Sequence, residues 1–184
     1  VSIASLGKEI YNQTIVINGV SKSYAMTGWR IGYTAGPLNV IKAMSSLQSQ
    51  VASGSNSIAQ YAAEEALRSP KGAAEIERMR KAYDERRQHI VARLNAIDGL
   101  KCVMPKGAFY VMVDMSALIG KHLGDCEITG SMDFASMLLE NADVALTPGS
   151  SFCAEGFCRI SYATSMENID KGVDRIERFV KNLV

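Results

Sequence analysis

Apolar positions along this chain alternate between short continuous runs and helical spacing, and the changes of spacing divide it into elements. Residues 1–7 lean helical and stop at Gly7, and residues 8–13 read as a mostly polar loop. The runs at 14–18 and 30–35 are short, apolar and rich in β-branched residues, which predicts strands of a sheet buried on both faces. Val40, Ile41, Met44, Leu47 and Val51 recur at helical spacing and predict a helix over 38–51. A break at 54–57 follows, with Ser57 as the expected cap of a helix that carries Ile58, Tyr61, Ala62, Ala66 and Leu67 up to Arg68. Residues 69–72 break the pattern again. A long, charged, amphipathic helix is predicted over 73–96.

The second half begins with a turn at Asp98-Gly99, a strand-like run at 100–104 and a turn at 105–107. Residues 108–114 are the strongest strand pattern of this half. Residues 118–128 read as a loop with a helical piece, and 131–140 as a helix with Phe134, Met137, Leu138 and Leu139. A short strand and turn at 143–149 and a strand at 156–163 lead to a closing helix over 166–184. That helix bears Ile169, Val173, Ile176, Phe179 and Val180 on one stripe.

Composition narrows the picture by exclusion. The 184 residues carry a net charge of +1 with 21% charged residues, which indicates neither a nucleic-acid nor a membrane surface. The one local basic cluster, Arg78, Arg80, Lys81, Arg86 and Arg87, reads as a solvated helix face. No apolar run approaches the ~20 residues of a transmembrane helix. No signal peptide opens the chain, and its start at Val1 without a methionine reads as the middle of a longer sequence. The four cysteines, Cys102, Cys126, Cys153 and Cys158, form no CxxC pair. His122 and Cys126 would share a face of a helix, but no second pair completes a zinc site, so no metal is expected. The thiols are expected to be reduced and mostly buried. A reactive thiol at Cys153 or Cys158 is the lesser alternative.

Candidate chemistry concentrates in residues 18–33, Asn-Gly-Val-Ser-Lys-Ser-Tyr-Ala-Met-Thr-Gly-Trp-Arg-Ile-Gly-Tyr. Lys22 stands at a bend after an apolar run. A lysine at the end of a buried strand is either paired or has a lowered pKa, and the unprotonated amine is a nucleophile that forms Schiff bases with carbonyls. Arg30 follows eight positions on (30 − 22 = 8) and offers a planar fork suited to phosphate. Ser21-Lys22 with Met26 to Tyr33 resembles the cofactor-lysine motif of the class I/II aminotransferases, fold-type I pyridoxal-phosphate enzymes, and is closest to the bacterial-type aspartate aminotransferase subgroup. The resemblance implies that Lys22 is the Schiff-base residue and that Arg30 holds the cofactor phosphate. Some relatives carry a phosphate-binding serine three positions before the lysine. Here that position is Gly19, so Ser21 either supplies the hydrogen bond or only shapes the turn.

Two further segments carry the resemblance. Pro105-Lys106-Gly107-Ala108-Phe109-Tyr110 is similar to a family strand near the substrate, so Phe109 is either a pocket wall or a core aromatic. Arg159-Ile160-Ser161-Tyr162-Ala163, with residues 144–152 upstream, resembles the motif whose arginine holds the substrate carboxylate. The alternative for Arg159 is a salt bridge or a rim position. The resemblance covers essentially the whole chain but only the C-terminal part of a family member. It implies an α/β, fold-type I architecture, the end of a large-domain sheet plus a small α+β domain. Residues 1–36 would be a remnant of the pyridoxal-phosphate-binding domain, 37–70 connecting helices and 71–184 the small domain. The implied activity is pyridoxal-phosphate-dependent transamination between L-aspartate and 2-oxoglutarate by a cytoplasmic homodimeric parent. Aromatic or alanine-type substrates, and a non-catalytic isolated fragment, are the alternatives.

Overall fold

In the computed structural model, which describes residues 1–184, the first apolar run pairs with the second as an antiparallel hairpin of β1 (Val16–Gly19) and β2 (Gly32–Ala35). The register sets Gly19 opposite Gly32. A Cβ at Gly19 would lie 3.1 Å from the Ile31 carbonyl oxygen, so the glycine lets the strands close at the base of the loop they carry. The two strands form a sheet of their own. Their faces are not both covered as expected, and Ile17 is 78% exposed. Burial falls instead just past the strand ends, on Val20 and Ile31, which cluster with Ala59 and Ala63.

The chain divides into two compact units, Val1–Met79 and Arg80–Val184. In the first, residues 8–13 are a helix rather than a loop, α1 (Lys8–Gln13). It lacks an apolar stripe because it buries nothing. Glu9 in its first turn suits the helix dipole, and the Thr14 hydroxyl donates to the Ile10 carbonyl at 2.6 Å. Helix α2 (Leu38–Ala52) follows the predicted span, yet none of its residues is buried. Helix α3 (Ser57–Arg68) is capped by Asn56, not Ser57; the Asn56 Oδ1 accepts from the Ala59 N–H at 3.1 Å. The expected break at 69–72 is short. Helix α4 (Pro70–Asn95) begins at the proline, whose missing N–H has no partner to lose in a first turn.

The second unit is a four-stranded antiparallel sheet of β3 (Lys101–Cys102), β4 (Tyr110–Asp114), β7 (Thr147–Pro148) and β8 (Phe157–Ser161), in the order β3-β4-β8-β7. Val111, Val113, Cys102 and Cys158 point to one face. They share a core with Ile90, Val91 and Leu94 of α4, Phe134, Met137 and Leu138 of α5 (Ser131–Ala142), and the full stripe of α6 (Met166–Lys181). Residues 118–128 differ from expectation. A 3-10 turn at Ser116–Leu118 precedes a small hairpin, β5 (His122–Leu123) and β6 (Cys126–Glu127), turned at Gly124 with φ 62°. His122 and Cys126 therefore do not share a helical face.

Helices α4 and α6 are clasped at their polar edge. His89 Nε2 lies 2.6 Å from Asp170, and Arg93 bridges Asp170 and Asp174, the latter at 2.5 Å. The hydrogen bond from His89, followed by the charges around it, holds the Asp170 carboxyl below its ordinary value. A lowered folded pKa means that the stabilisation is full above the unfolded value and is lost as pH falls through the folded one. Acid titration of the native chain should therefore lower its urea midpoint below about pH 4, and Asp170→Asn should flatten that limb. Asn56→Ala should cost about 1 kcal/mol, with Ser57→Ala costing less, as measured by urea unfolding.

Candidate functional site

Lys22 and Arg30 stand on one loop whose two ends are tied together. Val20 is fully buried, its N–H reaches the Ile31 carbonyl at 3.4 Å, and both residues pack on Ala59 and Ala63 of α3. Two alanines let the loop base approach the helix closely. Inside the loop the Tyr24 N–H bonds to the Val20 carbonyl and the Ala25 N–H to the Lys22 carbonyl, a tight turn centred on the lysine. A 3-10 turn at Thr27–Trp29 then leads to Arg30, which is left-handed at φ 54° and donates from NH1 to the Thr27 carbonyl at 2.8 Å. The sequence argument began from a buried lysine. In the structure Lys22 is exposed, and burial falls two residues earlier, on Val20. Ser21 is half-buried on the same turn.

Arg159 belongs to the second unit. The register sets it opposite Met112 on one side and Thr147 on the other. Directly opposed residues share a face, so Arg159 lies with Tyr110, Met112 and Thr147 on the face away from the helices. It is half-buried there, not inside an apolar layer. Its guanidinium carbon sits 4.3 Å from the Tyr110 ring centroid and 4.5 Å from that of Phe152. The flanking groups are ring faces rather than carboxylates. Phe109 stacks on Tyr83 at 6.1 Å and meets Tyr110 at 4.5 Å, so it packs against the core one ring away from Arg159.

Two neighbouring segments hold these rings. Ala108 is left-handed at φ 62°, and its carbonyl accepts from the Tyr162 hydroxyl at 2.9 Å. Tyr162 is buried, and burial raises its pKa, which keeps the hydroxyl a donor. Phe152 ends a 3-10 turn, Gly149–Phe152, that only a glycine can open. A Cβ at Gly149 would overlap the Ala154 and Phe157 carbonyl oxygens. Glu155 fastens this turn to α5 by accepting from the Ser131 N–H at 2.5 Å, and that bond, more than any other contact, lowers its pKa. Tyr110, Phe152 and Tyr162 were not singled out from sequence. The strand alternation that carries Tyr110 was available there, but nothing in the sequence showed Phe152 folding back onto Arg159.

A family model described as aminotransferase class I and II matches residues 1–176. The chain belongs to this family. It is 48% identical over 180 residues to an aspartate aminotransferase of Bacillus sp. strain YM-2, covering 98% of this chain and 44% of that protein. It is 44% identical over 183 residues to a probable aspartate/prephenate aminotransferase of Aquifex aeolicus, covering 100% and 45%. The crystal structure of the Rhizobium meliloti aspartate aminotransferase superposes with TM-score 0.94 at 43% identity, over 100% of this chain and 46% of that one. An aromatic aminotransferase from Pyrococcus horikoshii gives TM-score 0.85 at 40% identity, over 98% and 46%. The chain thus spans less than half the length of these curated relatives.

The chemistry of the loop fits the pyridoxal phosphate that the sequence motif implied: the Lys22 amine suits an aldehyde and the Arg30 guanidinium a phosphate. The thiols do not belong to it. Cys158 precedes Arg159 but points to the opposite, core face, where burial pushes its thiol up to about 12. Burial likewise pushes the Cys102 thiol up to about 11. Cys126 and Cys153 are exposed. A disulfide reagent should therefore titrate two thiols in the native chain and all four in urea. Removal of Cys126 and Cys153 should abolish the native reaction, and fast native labelling of Cys158 would contradict this assignment.

Proposed function

We propose that the chain supplies the cofactor lysine and the carboxylate-binding arginine of a longer aminotransferase that works with pyridoxal 5′-phosphate, L-aspartate and 2-oxoglutarate. The observation that carries this reading is the tied loop, which puts an amine and a guanidinium eight positions apart on one anchored turn in a chain of this family. Bound there, the cofactor supplies an electron sink for the bond-breaking at the substrate's α-carbon. Lys22 Nζ would hold the cofactor through its aldehyde carbon. The Lys22 amine would take the proton from the substrate's α-carbon as general base and, as the ammonium so formed, give it up again as general acid. Arg30 and Ser21 would anchor the cofactor's phosphate. Arg159 grips the α-carboxylate through two parallel hydrogen bonds and so orients the bond to be broken. Phe109 borders the substrate's side chain.

The division that goes with this reading has residues 1–36 as part of the cofactor-binding domain, 37–70 as connecting helices and 71–184 as the small domain. The enzyme is read as a cytoplasmic homodimer; no helix is long and apolar enough to cross a membrane. The aspartate/prephenate and aromatic aminotransferases among the relatives favour a second reading, in which the same machinery takes a ring-bearing amino acid.

The test is an absorption spectrum of the full-length protein with pyridoxal phosphate, before and after L-aspartate. A visible band of protein-held cofactor that aspartate bleaches, and that Lys22→Ala lacks, is the expected result. Lys22→Ala should also lower kcat by at least about a hundredfold. Arg159→Leu should raise the KM for aspartate about tenfold to a hundredfold. Bleaching by phenylalanine but not aspartate would select the second reading. A spectrum identical to free cofactor would overturn both.

A further inference from the structure

We infer that Phe152 and Tyr110 are positioning residues for Arg159, two rings that flank its guanidinium and limit the directions from which it accepts a ligand. This rests on the proposed role of Arg159. The ring centroids lie 4.5 Å and 4.3 Å from the guanidinium carbon. Those are separations at which a cation is attracted to an aromatic face. The N–H donors of a guanidinium all lie in its plane. With two rings this close, part of the surroundings of the guanidinium is carbon rather than water, and a ligand has fewer directions of approach. A carboxylate, planar and bidentate, suits those in-plane donors.

The two rings are held independently. Tyr110 lies on β4, at the diagonal position to Arg159 across the strand pair, so the sheet register sets it. Phe152 sits on the turn that Gly149 and Glu155 hold in shape, which sets its ring independently of β4. A phenylalanine that a built turn holds over a cation acts on that cation. Long arginine side chains lose rotamer freedom when they bind, and a preset guanidinium has less to lose.

The experiment is steady-state kinetics of the full-length, cofactor-loaded protein, with Phe152→Leu, Phe152→Tyr, Tyr110→Leu and the control Phe157→Leu. Phe157 lies on the same face of β8 as Arg159 but contributes neither ring. Each leucine variant should raise the KM for the amino acid, and the inhibition constant of succinate, about three- to tenfold, with kcat within about twofold. Phe152→Tyr should restore the wild-type value and Phe157→Leu should not differ from it. The Nε–H proton of Arg159, shifted by the ring currents of both neighbours, should move toward the ordinary arginine position in Phe152→Leu. If wild type transaminates and Phe152→Leu leaves KM and the Arg159 resonance unchanged, the inference is wrong while the assigned activity stands. If wild type neither holds cofactor nor transaminates, that activity is wrong and the inference falls with it.

Discussion

The register of β4 against β8 decides what the second unit can do. Side chains alternate along a strand, so a slip of one residue would exchange the faces of Cys158, Arg159 and Ile160. Arg159 would then enter the layer of Val111, Val113 and Cys158, where an unpaired charge costs several kcal/mol. The same slip would carry the buried Cys158 into water. The pairing is extended at both ends: the Tyr162 N–H bonds to the Phe109 carbonyl at 2.9 Å, and the Met115 N–H to the Gly156 carbonyl at 2.8 Å. Burial on one face thus fixes where the cation stands on the other. The core is what makes the open face specific.

Backbone strain gathers around the same chemistry. Six residues other than glycine have positive φ, and four of them flank candidate site residues: Ala25 and Arg30 on the lysine loop, Ala108 before Phe109, and Cys153 after Phe152. Such conformations cost of order 1–3 kcal/mol each and persist where surrounding contacts over-determine them. Those contacts are visible here. The Tyr162 hydroxyl holds the Ala108 carbonyl, Glu155 and Gly149 hold the turn before Cys153, and the packing of Val20 and Ile31 closes the lysine loop.

Most of the fold was legible in the sequence because its signals are local. Helical spacing marked α2, α3, the body of α4, α5 and α6, and the apolar runs marked β1, β2, β4 and β8. The misses have physical reasons. Helix α1 buries nothing and so carries no stripe to read. Asn56 outcompetes Ser57 as a cap by one position, a difference that only geometry resolves. The β5–β6 hairpin is two residues per strand, too short for alternation to register. Family wording made Lys22, Arg30 and Arg159 stand out, since each sits in a distinctive local phrase. The rings beside Arg159 were not legible, because Phe152 reaches it through a turn whose path depends on Gly149, Glu155 and Ser131 from another helix.

The two units differ in how firmly they can hold a reactive group. The second anchors Arg159 to a sheet backed by one continuous core drawn from three helices. The first anchors Lys22 to a cluster whose buried members are only Val20, Ile31, Ala59 and Ala63, while Ile17, Leu47, Val51, Ile58 and Tyr61 stand exposed. A core that small stabilises by a few kcal/mol at most, at roughly 0.8 kcal/mol per buried methylene, little against the entropy of ordering the loop. Proton transfer from an α-carbon demands an amine fixed to within a fraction of an ångström. In the proposed enzyme the apolar surface around the lysine loop must therefore be covered before Lys22 can act, whereas the carboxylate grip at Arg159 is already built from residues within its own unit.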